Sequence, residues 1–270
     1  MGRFPTVLRN RRAAALLACG ALLALPAAIV IAQELREPTQ LAQADGKVKV
    51  AFVGDSMADG LWGGVSRLAP RDSCLKGNVE LGRFAKNSTG LTRPERFNWA
   101  DELKRIGDSF KPALFVMTLG LNDRQSVVVG GRVTLETSPE YPAKYKERIT
   151  AVLKNAAASK AQLLWIGLPA MRDAAPDKDA REKNKMFAEA IAEFGDRSLQ
   201  YVPPWRLTET GEDKFASYGP DSTGKMIQIR AADGEHFTPA GELLVAAYLL
   251  PKMVASLTGA GAKLGDACAS

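Results

Sequence analysis

Residues 48–60, VKVAFVGDSMADG, constrain the fold more than any other stretch of the chain. Val48 to Val53 is a short run, apolar except for Lys49, rich in Val and Phe, and closed by Gly54. That composition reads as a strand buried on both faces of a parallel sheet. Gly54, Asp55, Ser56 and Met57 then open a turn, and residues 58–68 continue as a helix that Gly60, Gly63 and Gly64 weaken. Strand, tight turn and helix together put Ser56 at the carboxyl end of the strand and the amino end of the helix. Open α/β sheets bind ligands at that edge. A helix start also offers unpaired N–H groups and the positive end of its dipole. Taken alone, an Asp-Ser pair at such a turn reads as a helix cap.

The alternation continues. Residues 79–85, 113–119, 162–167 and 199–202 read as further strands, and 97–110, 141–158, 177–194 and 238–257 as helices. Trp99, Leu103 and Ile106 fall at helical spacing, and Pro112 stops that helix. Thr238 followed by Pro239 marks the start of the last helix, and Gly259 is its expected stop. Residues 126–135, with Gly130-Gly131 in the middle, carry a two-residue hairpin signal. Residues 208–229 form a Gly- and Pro-punctuated excursion in which 226–229 reads as a hairpin arm. Strands alternating with helices predict a three-layer α/β/α sandwich on a five-stranded, mostly parallel, flavodoxin-like sheet with right-handed crossovers. That topology brings the polar turns at Ser56, Gly90 and Asn122 to one sheet edge.

The amino terminus is of another kind. Arg3, Arg9, Arg11 and Arg12 come with no acid among them, and residues 13–32 carry no charge. This is a signal peptide, with small residues suited to cleavage before Gln33, or an anchor if uncut. A polar linker, 33–46, leads to one domain, 47–258, and a small-residue tail, 259–270. The expected product is an exported monomer, periplasmic or secreted, touching membrane only through an uncut residue 13–32 segment. The net charge of +6 falls to +2 once the four leader arginines are gone. With no basic stripe interleaved with aromatics, nucleic acid is excluded as a partner. Of three cysteines, Cys19 lies in the leader. Cys74 and Cys268 remain, an even pair in an oxidising compartment, expected either to bond or to stay as two free thiols.

His236 is the one histidine in the chain. A serine nucleophile needs a base with a pKa near neutrality within hydrogen-bond reach, and imidazole meets that without a large shift. The base in turn needs a carboxylate to hold its tautomer. Asp233, three residues upstream, can curl back to the other ring nitrogen, and Glu235 competes for that place. A single histidine and no clustered carboxylates make a poor metal-ligand set, so no metal or cofactor is expected.

Gly54-Asp55-Ser56 on the first strand, Gly90 after the second, Gly120-Leu121-Asn122-Asp123 after the third and Asp233-Gly234-Glu235-His236 before the last helix form an ordered set. The set, over residues 47–257, resembles the SGNH (GDSL-like) hydrolase family, in the wording of an exported bacterial subgroup. The resemblance implies Ser56 as nucleophile, His236 as base and Asp233 as its orienting partner. It also implies an oxyanion hole made by the Ser56 N–H, the Gly90 N–H and the Asn122 side-chain amide. Gly90 is then small so that its amide can approach substrate. Asp55 and Asp123 are read as structural, bonding turn amides. The two insertions, 126–135 and 208–229, are expected to roof the site. Arg93, Arg124 and Arg230 stand beside the motifs as candidates to hold an anionic substrate group, or as solvated or paired side chains. The implied activity is a serine esterase that removes O-acyl groups, acetyl foremost, from an envelope or extracellular carbohydrate through an acyl-enzyme. Acyl transfer to a glycan by the same residues is one alternative, and a non-catalytic glycan-binding protein on an inherited fold is the other.

Overall fold

The computed structural model describes residues 46–270 apart from 130, 208–212, 266, 267, 269 and 270. The leader, 1–32, and all but the last residue of the linker lie outside the described residues.

Five strands build one sheet: β1 (Val48–Gly54), β2 (Val79–Ala85), β3 (Leu114–Thr118), β6 (Gln162–Ile166) and β7 (Leu199–Val202). Between β3 and β6 the chain inserts the hairpin β4 (Val127–Val129) and β5 (Arg132–Thr134), and after β7 the hairpin β8 (Tyr218–Pro220) and β9 (Met226–Gln228). The helices are α1 (Ser56–Leu68), α2 (Trp99–Ser109), α3 (Tyr141–Ala158), α4 (Ala174–Phe194) and α5 (Pro239–Gly259). The sheet runs β2-β1-β3-β6-β7 and every pairing in it is parallel. This is the expected three-layer sandwich.

The strands alternate between two cores, as the period of two requires. Ala51, Val53, Phe115, Met117, Leu163 and Trp165 face α2, α3 and α4, whose Leu103, Ile106, Tyr145, Ile149 and Phe187 cover them. Val50, Phe52, Leu114, Val116 and Leu164 face α1 and α5 through Leu61, Val65, Val245, Leu249 and Met253. A strand buried on both faces has no polar side to show, which explains the near-continuous apolar runs.

The glycines that looked like weak points in α1 have a packing reason. A Cβ at Gly64 would lie 2.3 Å from the Glu242 carbonyl oxygen, so α1 and α5 meet where a side chain would not fit. That contact seats the start of α5, and His236 just before it, over the start of α1.

Several boundaries shift by one to three residues from the sequence reading, and two of the shifts have a clear physical cause. Helix α4 starts at Ala174 rather than Asp177, with Pro176 inside its first turn, where the lost N–H has no intrahelical partner to miss. Helix α5 does run to Gly259, but the left-handed residue that ends it is Gly261, at φ 86°. The Ala262 N–H returns to the Leu257 carbonyl at 2.9 Å, closing a Schellman turn. The tail beyond is not a loose end, since Ala262 and Leu264 are buried in the α1/α5 core.

Cys74 and Cys268 are bonded, 194 residues apart in sequence. The link ties the segment after α1 to the chain end. Replacing Cys74 with serine is expected to cost about 3 kcal/mol of unfolding free energy. Urea unfolding with and without reductant checks this: reductant should weaken the wild type by that amount and leave the variant unchanged.

Candidate active site

Four turns on the carboxyl edge of the sheet make the site. Asp55 caps α1, its Oδ1 accepting the Met57 N–H at 2.9 Å and its Oδ2 the Leu121 N–H at 3.2 Å. One carboxylate thus joins the turn after β1 to the turn after β3. Burial pushes the Asp55 carboxyl up to about 7; the N–H donors oppose this and the charge of Asp123 adds to it. Because Asp55 does the capping, Ser56 is free to point outward.

Ser56 Oγ lies 2.7 Å from His236 Nε2. His236 Nδ1 lies 2.7 Å from Asp233 Oδ2. With a carboxylate on Nδ1, that nitrogen carries the proton and Nε2 is left to accept from the serine hydroxyl. Asp233 Oδ1 also receives the backbone N–H groups of Glu235 at 2.8 Å and His236 at 3.0 Å. Burial alone would raise the Asp233 pKa, but those two donors and the imidazole outweigh it and hold the carboxyl at about 2. It is therefore a carboxylate at neutral pH. Glu235 does not compete for the imidazole: its Oε1 faces Arg124 Nη2 at 3.5 Å.

The loop that carries acid and base is held by two arginines. Arg172 donates to the carbonyls of Ala232, at 2.7 Å, and Asp233, at 3.0 Å. Arg230 donates to the carbonyls of Gly234, Glu235 and His236, at 3.3, 2.7 and 3.3 Å, and to Ala170 at 2.7 Å. Five consecutive carbonyls, Ala232 to His236, therefore point at two guanidinium groups. Arg230 is buried and stacked between Phe215 and Phe237, and burial lowers its pKa to about 10. This corrects the expectation that Arg230 holds a substrate anion, because its fork is spent on the loop. Arg93 pairs with Glu95, and Arg124 with Glu235, both at the exposed rim.

The two other oxyanion-hole candidates sit on a second buried carboxylate. Asp123 accepts the Leu91 N–H at 2.9 Å, the Thr92 N–H at 3.0 Å and the Tyr145 hydroxyl at 2.8 Å. A Cβ on Gly90 would come within 2.0 Å of Asp123 Oδ1. The glycine is thus required by the carboxylate packed against it, a reason the sequence reading did not contain. Asn122 Nδ2 donates to the Thr89 carbonyl at 2.9 Å, which orients its amide and uses one of its two hydrogens.

A cleft opens from the Ser56–His236 pair. Met57, Leu61, Thr118, Ile166, Trp205 and Val245 are among the residues lining it. No described residue of 126–135 or 208–229 lines it, so the described parts of the two insertions do not form the expected roof over this cleft. The second hairpin region instead shapes a neighbouring hollow through Asp213, Lys214, Ala216 and Ile229. The sequence reading missed Arg172 and Trp205. Both lie in loops that follow β6 and β7, the strand ends that topology places on this same edge, and that was the available signal.

A family model described as "Protein of unknown function (DUF459)" matches residues 49–252. No curated protein matches the sequence. Among solved structures, a carbohydrate esterase family 3 protein from Talaromyces cellulolyticus superposes with a TM-score of 0.54 at 15% identity, covering 78% of this chain and 99% of its own. A GDSL-like lipase from Bacteroides thetaiotaomicron gives 0.51 at 16% identity, covering 81% and 92%. An acetyl xylan esterase gives 0.50 at 16% identity, covering 76% and 99%. At these identities the likeness is one of fold.

Proposed function

Because the chain belongs to the DUF459 family, described as of unknown function, and has the fold of SGNH hydrolases, we infer its activity from the site itself: a serine esterase acting on O-acyl esters of a carbohydrate. The observation that carries this is the unbroken line from Ser56 Oγ through His236 to Asp233, with both contacts at 2.7 Å. His236 takes the serine proton as Oγ attacks the ester carbonyl, and returns it to the leaving sugar oxygen. The tetrahedral oxyanion is received by the Ser56 and Gly90 N–H groups and by the remaining Asn122 amide hydrogen. Water then enters, His236 draws its proton, and the acyl-enzyme is hydrolysed.

The side chains of His236 and Asp233 are 35% and 48% exposed, so water reaches the acyl-enzyme. That favours hydrolysis over transfer to a second glycan. A binding module would have no need of the ordered serine, imidazole and carboxylate. Proteins of this fold that are named as carbohydrate and acetyl xylan esterases support a sugar ester as substrate, with acetyl among the acyl groups accepted. The four arginines and the uncharged run behind them support action beyond the inner membrane.

A fluorophosphonate probe tests the assignment on the full chain. One adduct is expected, mapping to Ser56, with loss of p-nitrophenyl ester hydrolysis in proportion to labelling. An adduct elsewhere, or hydrolysis that survives full labelling, would overturn it.

A further inference from the structure

The cleft beside Ser56 has an apolar wall for which the catalytic roles have no use. Met57 and Leu61 come from α1, Ile166 from the end of β6 and Val245 from α5. Trp205 and Phe237 meet edge to face, with centroids 5.9 Å apart, as further parts of the lining. Apart from the reacting pair, the polar groups among the lining side chains are Thr118, which is buried, the indole N–H of Trp205, and Glu242, whose Oε2 accepts from Arg67 at 2.6 Å. A sugar ring carries a hydroxyl on most of its carbons, and in this cleft those hydroxyls would give up more water contacts than the few polar groups could replace. An alkyl chain gives up nothing there and removes apolar surface from water.

Size narrows the choice. The cavity is small, about 40 Å³, room for roughly three water-sized groups at ~10–15 Å³ each, so a short acyl chain fits and a long one does not. Acetyl brings one methyl and leaves most of the wall bare. We propose that this cleft is an acyl-chain subsite, that a straight acyl group of about four carbons is preferred to acetyl, and that Val245 helps set the length accepted. The inference rests on the esterase reading of Ser56 and names its acyl group; the carbohydrate then lies on the exposed, His236 side of the scissile bond.

The test is kcat/KM of the full chain on p-nitrophenyl acetate, butyrate, hexanoate and octanoate, for the wild type, Ser56→Ala, Val245→Phe and Val245→Ala. Each methylene moved into the cleft is worth about a fourfold gain, so butyrate should exceed acetate about fifteenfold, with no further gain by octanoate. Val245→Phe should cut the butyrate-to-acetate ratio about tenfold, and Val245→Ala should move the optimum to a longer chain. The ratio is read within each variant and does not depend on how much of it folds. Hydrolysis that requires Ser56 but favours acetate, or ratios unmoved by both Val245 variants, would overturn the subsite and leave the esterase standing. No Ser56-dependent hydrolysis of any of the four esters would overturn both.

Discussion

Ser56→Ala should hydrolyse a short activated ester at least about a thousandfold more slowly in kcat than the wild type, with little change in KM. On the proposed mechanism the hydroxyl forms the bond to the acyl group, and among the described residues no other side chain bonds to His236 Nε2 in its place. The variant should fold as the wild type does. Helix α1 is capped by Asp55, not by Ser56, and the serine side chain bonds to His236 alone. Steady-state kinetics beside a thermal melt separate the two effects. His236→Ala should lose about as much, and the double variant hardly more than either, because the pair acts as a unit. Losses that multiply in the double variant would mean that the two side chains act separately.

Arg230→Met should lower unfolding free energy by about 3 kcal/mol and reduce kcat about a hundredfold at temperatures where it is still folded. The side chain is buried, and its removal strands the Ala170 and Glu235 carbonyls, which accept its two 2.7 Å bonds. The Asp233–His236 loop would then keep one of its two guanidinium props, that of Arg172, and a shift of about 1 Å at the imidazole is enough for such a loss. KM should change less than kcat, since Arg230 does not line the cleft itself and meets its wall through the ring of Phe237. Arg230→Lys should recover only a fraction, because one ammonium cannot reach four carbonyls in the plane of a fork. Urea unfolding and kinetics at a common low temperature give both quantities. A wild-type kcat in a folded Arg230→Met protein would remove the positioning role.

Where the chain's own chemistry is local, the sequence was sufficient. Helix α3 and strand β7 have the bounds that periodicity predicts, Tyr141–Ala158 and Leu199–Val202. Apolar runs and helical spacing are written in neighbours, and each element's burial follows from them. The misjudged ends, at Ala174 and Gly261, depend on which backbone groups lack partners, and a proline or glycine near a boundary does not by itself say so.

The nature of the site was likewise set by residue type and order. A serine after a buried strand, one imidazole in the whole chain, a carboxylate three residues before it and an asparagine in the third turn leave little other chemistry to choose. What folding alone decided is which charges meet. Arg230 stands near a motif and looks like a hand for substrate; packing takes it inside and gives its donors to the loop. Gly90 looks small for the sake of a ligand; folding adds a second demand, because Asp123 fills the space where its Cβ would be. Side-chain type and spacing say which residues can act, whereas whether Asp123 packs on Gly90 or Arg230 reaches the Ala170 carbonyl, 60 residues away, depends on how the layers close, and no local pattern encodes that.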